Sequence, residues 1–180
     1  MDSIERILSD YSKSFTGKTY SDENNDHDPV MDIFGITPEM KRENRQYWGR
    51  ELGMVWQRIV TEVFKNNHPH YGDAIRIGQD EPCDLVAGKD AIDTKYRIGS
   101  GDSGTLKKFK QYGDLLRKMG YRPVFLIVRE DNLSAAITAC HVGGWTVLTG
   151  ERAFEYVKNQ TGVDLLTLFR SYGNRFKISR

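Results

Sequence analysis

Asp93-Thr94-Lys95 sets an acid and a lysine two positions apart, and Asp84 precedes them in the same short region. Side chains alternate along an extended strand, so Asp93 and Lys95 share one face. Residues 84–87 (DLVA) and 91–98 (AIDTKYRI) flank Gly88-Lys89-Asp90, a tight-turn signal. The two segments read as a hairpin that carries Asp84 toward that face. Converging carboxylates repel unless a positive charge sits between them. A hard divalent cation with oxygen ligands answers that, and Mg²⁺ takes one or two carboxylates plus phosphate and water. Lys95 is then placed to orient a water or help deprotonate it, which is the equipment of metal-assisted hydrolysis. The plainer alternative is an Asp93–Lys95 salt bridge on a partly exposed strand.

Gly99-x-Gly101-x-x-Gly104 follows the hairpin with the spacing of a dinucleotide-binding loop. Such a loop follows a fully buried, apolar strand, and here the strand carries Asp93, Lys95 and Arg97. The glycines read more simply as a loop passing close to a phosphate backbone, with its serines and amides outward. Arg97, Ser100, Ser103, Thr105, Lys107, Lys108 and Lys110 surround it as contacts, and no organic cofactor is expected. Cys83 and Cys140 lack metal-ligand spacing and read as buried thiols in a reducing compartment. His27 sits in a polar stretch between Asp26 and Asp28, and His68 and His70 flank Pro69; solvation is the expectation for all three.

The elements that must hold these groups follow from periodicity. Trp48, Leu52, Val55, Trp56, Ile59, Val60 and Val63 recur at helical spacing between about Glu43 and Asn66. Strands are expected at 74–77, 84–87, 91–98, 122–128 and 145–148. Helices are expected at 105–119, 132–140, 149–160 and 164–172. Residues 1–14 read as a short helix, followed by the aperiodic, Pro-ended stretch TGKTYSDENNDHDP. The chain thus divides into a helix and acidic flexible arm over 1–32 and one domain over 33–180. The fold class is α/β (α+β), a mixed central β-sheet flanked by helices.

At 180 residues, 38% hydrophobic and 28% charged, the chain has the make-up of a globular domain. No apolar run approaches the roughly 20 residues of a membrane helix. MDSIERILSDYSKS lacks the basic and apolar regions of a signal peptide, so the cytoplasm is the expected location and no membrane a partner. The net charge of +1 hides an asymmetry: residues 1–32 hold eight acids against three bases. No acid follows Asp164, whereas Arg170, Arg175, Lys177 and Arg180 do. A basic face for a polyanion is the implication.

From the amphipathic helix through Glu81-Pro82-Cys83-Asp84, the hairpin, Asp93-Thr94-Lys95, the basic helix and the apolar strand, residues 44–128 resemble the PD-(D/E)xK nuclease superfamily. Within it they resemble the type II restriction endonucleases, with a restriction-endonuclease-like core. Cys83 intervenes between Pro82 and the first acid, and the second acid is Asp rather than the commoner Glu. The resemblance implies Asp84 and Asp93 as Mg²⁺ ligands and Lys95 as the active-site lysine. It also implies a homodimer that cuts both strands of a short palindrome in double-stranded DNA. The rivals are a repair or junction-resolving nuclease of the same superfamily and a non-catalytic nucleic-acid-binding module. Many members add a carboxylate from the long helix. Gln57, on one edge of the apolar face, is favoured there by the pattern Gly53-x-x-Trp56-Gln57, and Glu51 by charge, with Glu51 and Glu62 flanking the other edge.

Overall fold

A computed structural model describes residues 9, 10, 12 and 27–178. Most of the expected first helix and acidic arm therefore lies outside the described residues; Ser9, Asp10 and Ser12 are helical. The first buried residue among those described is Asp28. Its carboxylate accepts from the backbone N–H groups of Val30 and Met31, each at 3.0 Å, and caps helix α1 (Pro29–Phe34). Thr37 does the same for α2 (Pro38–Glu43), bonding the Met40 N–H at 3.2 Å. Both helices start on a proline, whose fixed φ and missing N–H suit the first helical position. Sequence periodicity gave no sign of either helix. Val30, Met31 and Ile33 are core residues, so the core reaches into the stretch assigned to the arm.

Helix α3 (Arg45–Asn67) is capped by Asn44. It buries Leu52, Trp56, Val60 and Phe64, one residue per turn against the sheet. The Trp56 indole N–H donates to the Leu126 carbonyl at 3.0 Å, which fixes how far the helix is rotated about its axis.

The sheet has five strands in the order β1-β2-β3-β4-β5. These are β1 (Tyr71–Asp73), β2 (Leu85–Ala87), β3 (Asp90–Lys95), β4 (Arg122–Ile127) and β5 (Thr146–Thr149). The first three pair antiparallel, and β4 and β5 join parallel. At the β2–β3 turn Gly88 has φ +59°, as primed hairpin turns require, and Ala87 pairs with Asp90. The parallel joins need crossovers, supplied by α4 (Ser103–Lys118) and α5 (Ser134–Val142). Helices α6 (Glu151–Thr161) and α7 (Leu165–Tyr172) complete the described chain. One strand moved: residues 74–77 are loop, with a single bridge between Ile77 and Asp80, and the edge strand lies just before them. Ile75 packs against the core that includes Cys83, Val86 and Phe125 instead of pairing.

Each face of the sheet carries a core. Ile92, Val124 and Leu126 pack with α1, α3, α6 and α7, while Ala91, Phe125 and Ile127 pack with α4 and α5. The expected mixed sheet with helices on both faces is thus the fold. Helices α4 and α5 touch at two glycines. A Cβ on Gly113 would stand 2.2 Å from the Gly143 carbonyl oxygen, and one on Gly143 would stand 2.6 Å from that of Phe109. The Trp145 indole closes the contact by donating to the Phe109 carbonyl at 2.7 Å. Among the described residues no helix is long and apolar enough to cross a membrane.

Candidate active site

The hairpin register decides which side chains meet. Leu85 pairs with Ile92, so β2 has not yet begun where β3 reaches Thr94. Asp84 fills the place of the missing strand. Its Oδ2 accepts from the Thr94 backbone N–H at 2.7 Å and the Thr94 hydroxyl at 2.6 Å. Its Oδ1 accepts from the Gln57 amide at 2.6 Å. Thr94 projects to the α3 face, and alternation sends Asp93 and Lys95 to the α4–α5 face, where Lys95 bonds the Asp93 carboxylate and its ammonium lies 5.9 Å from the Phe125 ring centre.

Asp93 is buried, its side chain 11% exposed, while Lys95 opens to solvent at 38%. Burial pushes the Asp93 carboxyl up to about 6; the Lys95 ammonium pulls it down and the Asp84 carboxylate pushes it further up. Burial works to lower the Lys95 ammonium, but the Asp93 and Asp84 carboxylates together outweigh it and hold its pKa above the ordinary lysine value. The group therefore has the expected tension: two neighbouring carboxylates, and one cation bonded to only one of them. Two carboxylates form an all-oxygen donor set suited to Mg²⁺, with phosphate and water completing the shell. Among the described residues no set of three or more His, Cys, Asp or Glu side chains gathers to hold a metal.

Helix α3 carries the three candidates Gln57, Glu51 and Glu62, and the structure separates them. Gln57 follows the Trp56 anchor and lies on Asp84. Glu51 pairs with Arg50 at 3.0 Å and makes no bond to Asp84 or Asp93. Glu62 accepts from Asn66 at 2.8 Å. Gln57 and Asp84 line a cleft of about 790 Å³ between α3 and α7 with Arg58, Glu62, Leu168 and Tyr172; Asp93 and Lys95 do not line it.

The glycine loop departs from the expected outward-facing arrangement at Ser100, Thr105 and Arg97. Asp102 caps α4 by accepting from the Thr105 backbone N–H at 2.9 Å. The Ser100 and Thr105 hydroxyls both donate to the same carboxylate at 2.6 Å, so Asp102, not a passing phosphate, takes their hydrogen bonds. These hydroxyls and the Thr105 N–H hold the Asp102 carboxyl well below the usual carboxylate range. An anion already sits where a pyrophosphate would have to bind, which weighs against the dinucleotide reading. Arg97 donates to the Asp131 carbonyl at 2.9 Å and its carboxylate at 3.2 Å, tying β3 to the loop after β4. Ser103 is exposed in the first turn. Lys107, Lys108 and Lys110 are exposed on α4 and form no ion pair with the described residues.

The histidines make their bonds elsewhere, while the two thiols lie in the core on the Asp93 and Lys95 side of the sheet. His27 bonds Asp32 at 3.0 Å, and His68 accepts from the His70 N–H at 3.2 Å. Cys83 and Cys140 are free, buried thiols, pushed up to about 11 and about 12 by burial. Such thiols are poor nucleophiles. Two contributors escaped the sequence reading. Asp102 carried a helix N-cap signal, an acid three residues ahead of the N–H it accepts. Thr94 carried none, because its partner is ten positions away. No protein-family model matches the chain, no curated protein matches it, and no solved structure matches it.

Proposed function

We propose that this chain is a Mg²⁺-dependent endonuclease that hydrolyses phosphodiester bonds in double-stranded DNA. The observation that carries the reading is the meeting of Asp84 and Asp93, from the two arms of one hairpin, with Lys95 bonded to Asp93 and open to solvent. The order α3, three antiparallel strands, α4 and parallel β4 supports the resemblance to the PD-(D/E)xK nucleases. In that reading the enzyme is a type II restriction endonuclease acting as a homodimer on a palindrome, so that one two-fold axis relates both subunits and both cuts.

Asp84 and Asp93 would hold the ion, which supplies charge neutralisation and Lewis-acid assistance to in-line attack by water. Asp84 is oriented on both oxygens before substrate arrives. Asp93 contributes a carboxylate whose burial makes a neighbouring cation welcome. Lys95, kept protonated by both acids, donates hydrogen bonds and offsets charge growing on the phosphate. A lysine held protonated is poorly suited to take a proton, so its role is to orient and neutralise. Lys107, Lys108 and Lys110 supply attraction for the sugar–phosphate backbone irrespective of sequence.

Incubation with phage DNA and Mg²⁺ tests this. Discrete fragments are expected, and Asp84→Ala and Asp93→Ala should lose cleavage with the fold intact. A smear would replace site-specific cutting with nonspecific hydrolysis. Cleavage confined to branched DNA would make the enzyme a junction or repair nuclease. Intact DNA of every form would overturn the nuclease reading in favour of a non-catalytic nucleic-acid-binding module.

A further inference from the structure

We infer that Thr94 is a positioning residue whose hydroxyl sets the orientation of Asp84 as a metal ligand. The inference rests on the nuclease reading of Asp84 and Asp93. Thr94 is 5% exposed and projects toward the α3 side of the sheet, where Ile92 and Tyr96 on the same strand face are core residues. A hydroxyl buried there needs an acceptor, and the Asp84 carboxylate supplies it at 2.6 Å. The Thr94 backbone N–H reaches the same Oδ2 at 2.7 Å, so one residue grips one oxygen with two donors. Gln57 holds the other oxygen.

These bonds come from the strand and helix side and leave the carboxylate beside Asp93, the second proposed ligand. The backbone donor is common to any residue at this position. Only the hydroxyl is specific to Thr94, and it restricts rotation of the carboxylate about its last torsion. Outer groups that orient metal ligands in this way are typically worth about 10–100-fold in metal affinity.

The test is Mn²⁺ binding by the DNA-free protein, followed through the electron paramagnetic resonance signal of the free ion. Thr94→Val keeps the β-branched shape and removes the donor. It should bind Mn²⁺ about 10–100-fold more weakly, while Thr94→Ser should bind as the parent does. Thermal unfolding without metal shows whether the valine variant folds, and Thr94→Ala gives the same comparison if it does not. Parental Mn²⁺ affinity in Thr94→Val or Thr94→Ala overturns the inference and leaves the nuclease reading standing. A serine variant as weak as valine overturns it as well, because the hydroxyl would then not be the agent. No Mn²⁺ binding by the parent, or parental binding by Asp84→Ala, overturns the nuclease reading and the inference with it.

Discussion

Replacing Asp93 by asparagine should make the metal-free protein more stable at neutral pH, although the variant gives up a proposed catalytic group. Burial raises the Asp93 carboxyl from 3.8 to about 6, net of the Lys95 attraction. The folded state therefore binds the proton more tightly than the unfolded chain does. The resulting destabilisation is absent below the unfolded value, grows as pH rises through the interval between the two, and is complete above about 6. At about 1.36 kcal/mol per pH unit, the full effect is about 3 kcal/mol. Urea unfolding in EDTA should show Asp93→Asn more stable than the parent by up to about 3 kcal/mol near pH 7.5, and by less than about 1 kcal/mol near pH 4. A variant less stable than the parent at neutral pH would refute the reasoning. A gain that persisted undiminished in acid would refute it equally, since it would come from packing rather than from charge. Mg²⁺ should stabilise the parent and leave the variant nearly unchanged, in line with a stabilising ion that binds only the folded state.

Lys95→Ala should lose most cleavage activity, and Lys95→Arg should not restore it, because a planar guanidinium does not replace a compact ammonium beside Asp93; a fully active arginine variant would remove Lys95 from the mechanism. With Ca²⁺ in place of Mg²⁺ to hold back cutting, Lys107→Ala and Lys108→Ala should each reduce the slope of log affinity against log salt by about one unit, for unrelated sequences alike. An unchanged slope would place the DNA backbone elsewhere. Gly113→Ala should destabilise the fold by about 2 kcal/mol or more, because its Cβ meets the Gly143 carbonyl at 2.2 Å and the Trp145 indole nitrogen at 2.6 Å. Chemical denaturation showing parental stability would mean that α4 and α5 separate freely.

Elements set by local rules were readable from the sequence. The Gly88 turn and the alternation on either side of it gave β2 and β3, and a long 3.6-residue period gave α3 to within two residues at its start and one at its end. Helices α1 and α2 were missed because six residues are too few for a period to show, and Pro29 read as a breaker although Asp28-Pro29 and Thr37-Pro38 both carry a cap followed by a proline. Ala74–Ile77 looked more strand-like than Tyr71–Asp73, yet pairing with Leu85–Ala87 fell to the latter. In the site, Asp84, Asp93 and Lys95 were legible because strand alternation and a tight turn fix their relation. The choice among Gln57, Glu51 and Glu62 was not, since it depends on helix rotation, which the Trp56 bond to Leu126 sets from seventy residues away. Ser100, Thr105 and Arg97 were read as facing outward, but Asp102 and Asp131 hold them.

The Gly88-Lys89 turn also makes the meeting of Asp84, Asp93 and Lys95 depend on chain length. One residue added or removed there shifts β3 by one step against β2 and turns its side chains over. Asp93 and Lys95 would then point toward α3, with Thr94 in their place on the other face. Because Ile92 would trade faces with Asp93 at the same time, no half-working register lies in between. By contrast, residues 76–81 in the loop between β1 and β2 are exposed, and the pairing of the two strands lies outside them. Insertions should be tolerated there and prove all-or-none at the turn, so that lineages or engineered variants of this chain can vary freely in one loop while the other keeps a single length.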